Sequence, residues 1–351
     1  MPAPLDPLPH RVRFVVPGGA RWRDLMGADD PPDPDALATR FINAEDVWVV
    51  QTFVQLRRRG LAVELAETFD PRTINVASYV GLKPKLPLWR SFILACQHDR
   101  ARPALCDARV VQNRANVRGP EDHYIPHWPQ PGLTPRDPAR GDAVRTLTFK
   151  GAFDNLAPAY RSDAFLSELR ALGVRLVTSD GEDKLSRENA SGAIDWTDYR
   201  EADLVLAVRE MSPAKLDTKP PTKLINAWLA GTPALLSRES AYEQLRESDL
   251  DYIEVASPRE AIAAVRRLQD EPGRYRAMIE RGLARGREFD ADAPARRWRD
   301  LLAGPIARDL ERWRAAGAFA RAARPLAHLR RTLEHRANVR KHRQAMGHAG
   351  S

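Results

Sequence analysis

The stretch KPPTKLINAWLAGTPALL, residues 219–236, decides how the chain is read. Leu224, Ile225, Trp228 and Leu229 recur at helical spacing and make one apolar face, and TPALLS, 232–237, follows as a short buried strand. Before it, DYREADLVLAVR, 198–209, supplies a short helix and then a strand ending at Arg209. Strand, helix and strand in succession are the alternation of a parallel sheet with crossover helices. Further upstream, VRTLTF (144–149) reads as a strand ending at Lys150 and Gly151. SDAFLSELRALG (162–173) reads as a helix with a Ser162 cap and a Gly173 stop, and VRLVTS (174–179) as the next strand. Downstream, SAYEQLRE (240–247) has Ser240 and Glu243 at capping-box spacing. DYIEVA (251–256) is a last short strand, and SPREAIAAVRRLQ (257–269) is a helix with Pro258 at its first position. Residues 143–285 therefore read as one doubly wound domain.

The same rhythm is present nearer the start. RVRFVV (11–16), LAVELA (61–66), TINVAS (73–78), SFILAC (91–96) and ARVVQN (108–113) read as strands, and 44–59 as a helix with a basic last turn and a Gly60 stop. Between the halves, residues 118–141 carry six prolines and three glycines with no sustained periodicity, which marks the linker. The division expected is 1–125 for an N-terminal domain, 126–142 for a linker and 143–288 for the second domain. A helix over 289–304 returns to the first domain, and 305–351 is a basic amphipathic tail.

Composition excludes several classes. At 351 residues, 43% apolar and 29% charged, the chain is globular in usage. Cys96 and Cys106 form no metal-ligand pair, and neither a secretory apolar run nor a membrane-spanning stretch is present. The expected location is cytoplasmic. Net charge is +8, and residues 305–351 hold eleven Lys and Arg against three acids, so the whole excess lies in that tail. Two apolar stripes run through it: Ile306, Leu310, Trp313 and Ala320, interrupted by Gly317, then Leu326, Leu329 and Leu333. Such a segment either lies on an anionic membrane surface, here the inner face, or packs on the body. It lacks the interleaved aromatics of a nucleic-acid module, so no nucleic acid is expected.

On Lys223, Leu224, Ala227, Ala230, Gly231 and Pro233, with YREADLVLAVR before them, the chain resembles the nucleotide-sugar-binding region of GT-B glycosyltransferases. The resemblance covers 143–303; over 1–117 it is topological. It implies an α/β architecture of two Rossmann-like domains facing across a cleft, with a helical basic C-terminal extension. The donor sits mainly on the C-terminal domain and the acceptor on the N-terminal one. The family's ribose-binding Glu falls on Asn226, which offers a donor and an acceptor to sugar hydroxyls but no charge.

The residues suggest a site independently of the family. With Thr222 as helix cap, the N–H groups of Lys223, Leu224 and Ile225 would face a diphosphate, and Arg209, Lys219 and Lys223 would clamp it without a metal or other cofactor. Alternatively the lysines are solvated and Arg209 pairs with Glu210 or Asp217. Lys150 and Gly151 end a strand where ligands bind, or form a tight turn, with Asn155 four residues on. Ser179 and Asp180 bound a base pocket or a turn; Glu243 reaches ribose or serves its cap. Gly18 and Gly19 line the cleft or simply turn the chain, and without a third glycine they disfavour NAD. His98 with Asp99, after a strand, is either the base for an acceptor hydroxyl or a structural pair. His123 and His127 in a proline-flanked loop are poor zinc ligands. The first reading is a metal-independent glycosyltransferase acting on a glycan or lipid-linked acceptor. The alternatives are an inactive nucleotide-sugar-binding scaffold or another nucleotide-sugar enzyme on the same fold.

Overall fold

The computed structural model describes residues 2–151, 153–179 and 196–347. The chain divides into two compact units. The first comprises Met1–Trp128, Ser212–Pro220 and Ala291–Ser351; the second comprises Pro129–Met211 and Pro221–Asp290.

In the first unit, strands β1 (Val12–Val15), β2 (Val63–Ala66), β3 (Ile74–Ser78), β4 (Phe92–Cys96), β5 (Ala108–Val111) and β6 (Asp122–Tyr124) form one sheet. Its order is β2-β1-β3-β4-β5-β6 and every pairing is parallel, with Phe14 opposite both Leu65 and Val76. Strands β3, β4 and β5 are buried along their whole length; β4 is apolar throughout, while β3 buries Asn75 and Ser78 and β5 buries Arg109. The helix expected over 44–59 contains a π-helical stretch, Asp46–Gln51, that continues as α1 (Thr52–Arg57). The Asp46 carboxylate, almost fully buried, accepts from the N–H groups of Ile42 and Asn43, from the Trp22 indole and from Arg21. Where the π stretch meets α1, the Thr52 hydroxyl donates to the Trp48 carbonyl at 3.0 Å and accepts from the Trp128 indole at 2.8 Å.

The second unit is built on β7 (Thr146–Phe149), α2 (Asp163–Ala171), β8 (Arg175–Thr178) and β9 (Leu204–Ala207). After β9 the chain leaves for the first unit as α3 (Pro213–Leu216). It then resumes the second with α4 (Thr222–Leu229), β10 (Ala234–Leu236), α5 (Ser240–Glu243), β11 (Ile253–Glu254), α6 (Pro258–Asp270) and α7 (Pro272–Gly286). The sheet order is β11-β10-β9-β7-β8, again wholly parallel. Ser162 and Ser257 cap α2 and α6 by accepting from the N–H groups of Phe165 and Glu260. The capping box does not form at α5: Ser240 is already helical, Glu239 holds the cap position, and Glu243 pairs with Arg238 at 2.7 Å on the surface.

The proline-rich segment is structured at both ends. Asp122–Tyr124 is strand β6, and the buried Asp122 takes ion pairs from Arg102 and Arg109. Beyond Trp128, Arg136 and Arg140 both bind the buried Asp203 carboxylate, which also accepts from the N–H groups of Arg145 and Thr146. That single acid fastens the segment to the sheet of the second unit.

The chain ends in the first unit as α8 (Asp292–Ala303), α9 (Pro305–Ala315), α10 (Ala318–Ala322) and α11 (Arg324–Gly347). Trp298, Leu302, Ile306 and Leu310 lie in the same core as Phe14, Trp48 and Phe53, and the Trp298 and Phe14 rings meet edge to face at 6.3 Å. Of the first apolar stripe of the tail, Ile306 and Leu310 are thus core and Trp313 packs against it half-buried, while Ala320 is exposed. Replacing Leu310, fully buried, with Ala should cost about 2–5 kcal/mol of stability. Urea unfolding followed by tryptophan fluorescence checks this; an unchanged midpoint would mean that α9 does not contribute to the core.

Candidate functional site

In a doubly wound sheet the loops after the strands diverge where strand order reverses, leaving a crevice at the carboxyl ends. In the first unit that point lies between β1 and β3. Gly18 and Gly19 follow β1: Gly18 has φ +75°, and a Cβ on Gly19 would come within 2.9 Å of the Val16 carbonyl oxygen. Ser78 ends β3, and His98 lies two residues past β4. His98 has φ +38° and is the only non-glycine residue with positive φ among the described residues. That conformation costs about 1–3 kcal/mol and persists only where surrounding contacts hold it.

Those contacts form a chain. His98 Nδ1 is 3.3 Å from Asp99 Oδ1, His98 Nε2 is 3.3 Å from Ser78 Oγ, and Lys219 Nζ donates to Asp99 Oδ2 at 3.1 Å. The hydrogen bond from His98, and then the charge of Lys219, hold the Asp99 carboxyl well below the usual carboxylate range, against the effect of burial. An ionised Asp99 can only accept, so neutral His98 carries its proton on Nδ1 and leaves Nε2 as the basic nitrogen. Glu45, pushed upward by burial, also hydrogen-bonds Ser78. Lys219 reaches this group because Ser212–Pro220 belongs to the first unit: Gln112, Asn113 and Asn116 hold the carbonyls of Thr218, Lys219 and Asp217.

In the second unit strand order reverses between β7 and β9. Lys150 and Gly151 follow β7, and α4 follows the excursion after β9. Lys223, in the first turn of α4, donates to the Lys150 carbonyl and stands over the Phe149 ring at 5.0 Å and the Trp196 ring at 4.8 Å. The Lys150 ammonium lies 5.2 Å from the Tyr199 ring. Gly151, with φ +154°, leaves room for Lys223, whose Nζ a Cβ would approach to 2.9 Å. Thr222 Oγ1 is buried with no hydrogen-bond partner among the described residues.

Several expectations need correction. Pro221, not Thr222, caps α4, and its carbonyl takes the N–H groups of Leu224 and Ile225, so those two donors do not face a ligand. Arg209, Lys219 and Lys223 have separate partners. Arg209 is buried and bidentate on Glu239 at 3.1 and 2.6 Å, with the Tyr242 hydroxyl at 2.9 Å, so its charge is already met. Asn226 is 3% exposed and its Oδ1 accepts from Gln130 N–H, a tie between α4 and the proline-rich segment. Ser179 bridges strand ends, accepting from Gly151 N–H at 3.0 Å and donating to the Phe149 carbonyl. Asn155 is exposed in a turn, and Asp180 lies outside the described residues. His127 donates to the Trp128 carbonyl, and no group of three or more potential metal ligands occurs among the described residues.

Sequence reasoning missed Ser78, Glu45 and the Arg209–Glu239 pair. Ser78 carried a usable signal, the carboxyl end of a strand; Glu45 carried none.

The sequence model of the glycosyl transferase-like family matches residues 162–303. No curated protein matches the chain in sequence. Among solved structures, sucrose-phosphate synthase from Thermosynechococcus elongatus is similar over 86% of this chain and 99% of its own, with TM-score 0.55 and 12% identity. The chain has a GT-B fold. The Anabaena protein HepE in complex with UDP-glucose covers 85% of this chain over its full length, at TM-score 0.48 and 11% identity. AviGT4, a glycosyltransferase involved in avilamycin A biosynthesis, covers 84%, at 0.44 and 16%.

Replacing Arg209 with Ala strands the Glu239 carboxylate in a buried site. The expected cost is about 3–5 kcal/mol, read as a lowered urea midpoint. A midpoint within error of wild type would return Arg209 to the ligand-binding candidates.

Proposed function

We propose that the protein is a metal-independent glycosyltransferase, moving a sugar from a nucleotide-sugar donor to a hydroxyl of a glycan or lipid-linked acceptor. The observation that carries this reading is the meeting of Lys150 and Lys223 with the first turn of α4 at the strand-order reversal of the second unit. As the glycosidic bond to the leaving nucleoside diphosphate breaks, negative charge grows on the phosphate oxygens. Fixed ammonium groups there lower the barrier because they need no reorganisation. Lys223 is held against aromatic faces and a carbonyl, so it is positioned before the donor arrives.

On the acceptor side, His98 Nε2 is the base for an acceptor hydroxyl in direct attack, with Asp99 and Lys219 fixing the imidazole. Ser78 Oγ lies 3.3 Å from Nε2 and either gives way to the incoming hydroxyl or relays its proton. The protein works in the cytoplasm at the inner face of the membrane, where a lipid-linked acceptor would be presented.

One observation favours a second reading. Asn226 is buried and carries no carboxylate for the ribose, which suits a protein that binds the donor without transferring its sugar.

Thermal-shift screening against UDP, GDP, CMP, TDP and ADP sugars should show one nucleotide class raising the melting temperature. With that ligand, Lys223→Ala should lower affinity by tenfold to a hundredfold, about 1.5–3 kcal/mol, by isothermal titration. Wild-type affinity in both Lys223→Ala and Lys150→Ala would place the diphosphate elsewhere. His98→Ala should keep donor affinity and slow transfer by about 100- to 10,000-fold; unchanged turnover at saturating substrates would remove His98 from the reaction. Donor binding with no transfer to any hydroxyl acceptor by wild type would select the scaffold reading.

A further inference from the structure

Helix α11 has two unlike faces. One is fixed to the first unit: His328 Nε2 donates to the Pro84 carbonyl at 3.1 Å and its ring lies tilted 5.1 Å from that of Trp89, Arg331 pairs with Asp107 at 3.0 Å, and the His335 ring lies 5.3 Å from Tyr79. The opposite face carries Leu326, Leu329 and Leu333, spaced three and four residues apart and 73%, 59% and 59% exposed. Phe319 on α10, 91% exposed, adds to them. Among the described residues these side chains are left largely exposed, whereas Ile306 and Leu310 of the same tail are fully buried. The charge around them is one-sided. Residues 318–347 hold eight Lys and Arg against the single acid Glu334, and Arg330, Arg336 and Arg340 share the exposed side with the leucines.

Beside this face lies a cavity of about 630 Å³, lined by Lys83, Lys85, Trp89, Leu329, Thr332 and Arg336. Three cations and no carboxylate line it, and Thr332, 7% exposed, has its Oγ1 buried without a hydrogen-bond partner among the described residues. Cations, an unanswered hydroxyl and an indole next to protruding leucines match one chemistry: a phosphodiester head with acyl chains below it.

We propose that the exposed face of α10 and α11, with this cavity, is a docking surface for an anionic phospholipid leaflet. The leucines and Phe319 enter the acyl boundary, and one headgroup phosphate sits among Lys83, Lys85, Arg336 and Thr332. A second copy of the chain is a poorer occupant, because a twofold contact through this face sets Arg330, Arg336 and Arg340 against their own equivalents. The proposal rests on the membrane-side placement proposed above and names the surface that achieves it; it does not depend on the donor chemistry.

The test is co-sedimentation of the full chain with phosphatidylcholine vesicles, with and without phosphatidylglycerol. Wild type should pellet with the anionic vesicles only, and added salt should release it. Leu326→Ser/Leu329→Ser/Leu333→Ser should lose at least tenfold in partitioning while keeping its melting temperature and donor affinity, since the three side chains contribute to no core. At about fivefold for each surface cation, Lys85→Gln/Arg336→Gln should lose about twenty-fivefold. Absence of wild-type binding, equal binding to neutral vesicles, or wild-type partitioning by the leucine variant would overturn the proposal. So would sedimentation velocity showing that the leucines hold a dimer that does not bind vesicles. Vesicle binding and donor titration are separate readouts, so either reading can fail while the other stands.

Discussion

An all-parallel sheet must be covered on both faces, because neither face is polar enough to meet water. The first unit cannot satisfy that constraint with its first 128 residues alone. The run from Asp46 to Arg57 supplies Trp48 and Phe53, but the core around Phe14 is closed by Trp298, Leu302, Ile306 and Leu310 from the far end of the chain. The Arg59–Asp292 ion pair marks where that cover begins. The return of the chain, and with it the position of the last helices, follows from the need to bury one face of six strands.

The same topology places the chemistry. In the first unit Ser78 ends β3, which flanks the reversal of strand order, and His98 follows the next strand, β4; in the second unit Lys150 follows β7 and α4 comes after β9, the two strands that flank the reversal. The two constellations differ in charge. Around His98 an acid, a base and a lysine neutralise one another and fix a tautomer; at Lys150 and Lys223 positive charge is held against aromatic faces and a carbonyl. The first arrangement suits moving a proton, the second suits receiving an anion.

Most strands were legible because burial on both faces writes itself as an apolar run; SFILAC and LVLA have no other plausible fate. Strand β6 was not, since its Asp122 is charged and becomes an edge residue only through Arg102 and Arg109, which are remote in sequence. The excursion of Ser212–Pro220 left no local mark, as its residues resemble those on either side and are held by carbonyl contacts from Gln112, Asn113 and Asn116. The candidate cations were legible as cations, not as partners. Nothing in the residues near Arg209 distinguishes a phosphate ligand from the mate of Glu239, thirty positions away. Similarly, the two stripes of the tail look alike on paper, and only the presence of an uncovered sheet face assigns Ile306 and Leu310 to the interior and leaves Leu326, Leu329 and Leu333 outside.

That the first unit is completed by the last part of the chain has a consequence for synthesis. As the polypeptide leaves the ribosome, the strands from Val12 to Val111 emerge long before Trp298 and Leu310, which at ordinary elongation rates means a wait of roughly ten to forty seconds. The second unit, apart from its short excursion, is contiguous and can be finished during that interval. Order of translation and order of completion are therefore inverted. The nascent N-terminal half carries an open apolar face for the duration, a natural client for chaperones that hold exposed hydrophobic surface until the closing helices arrive.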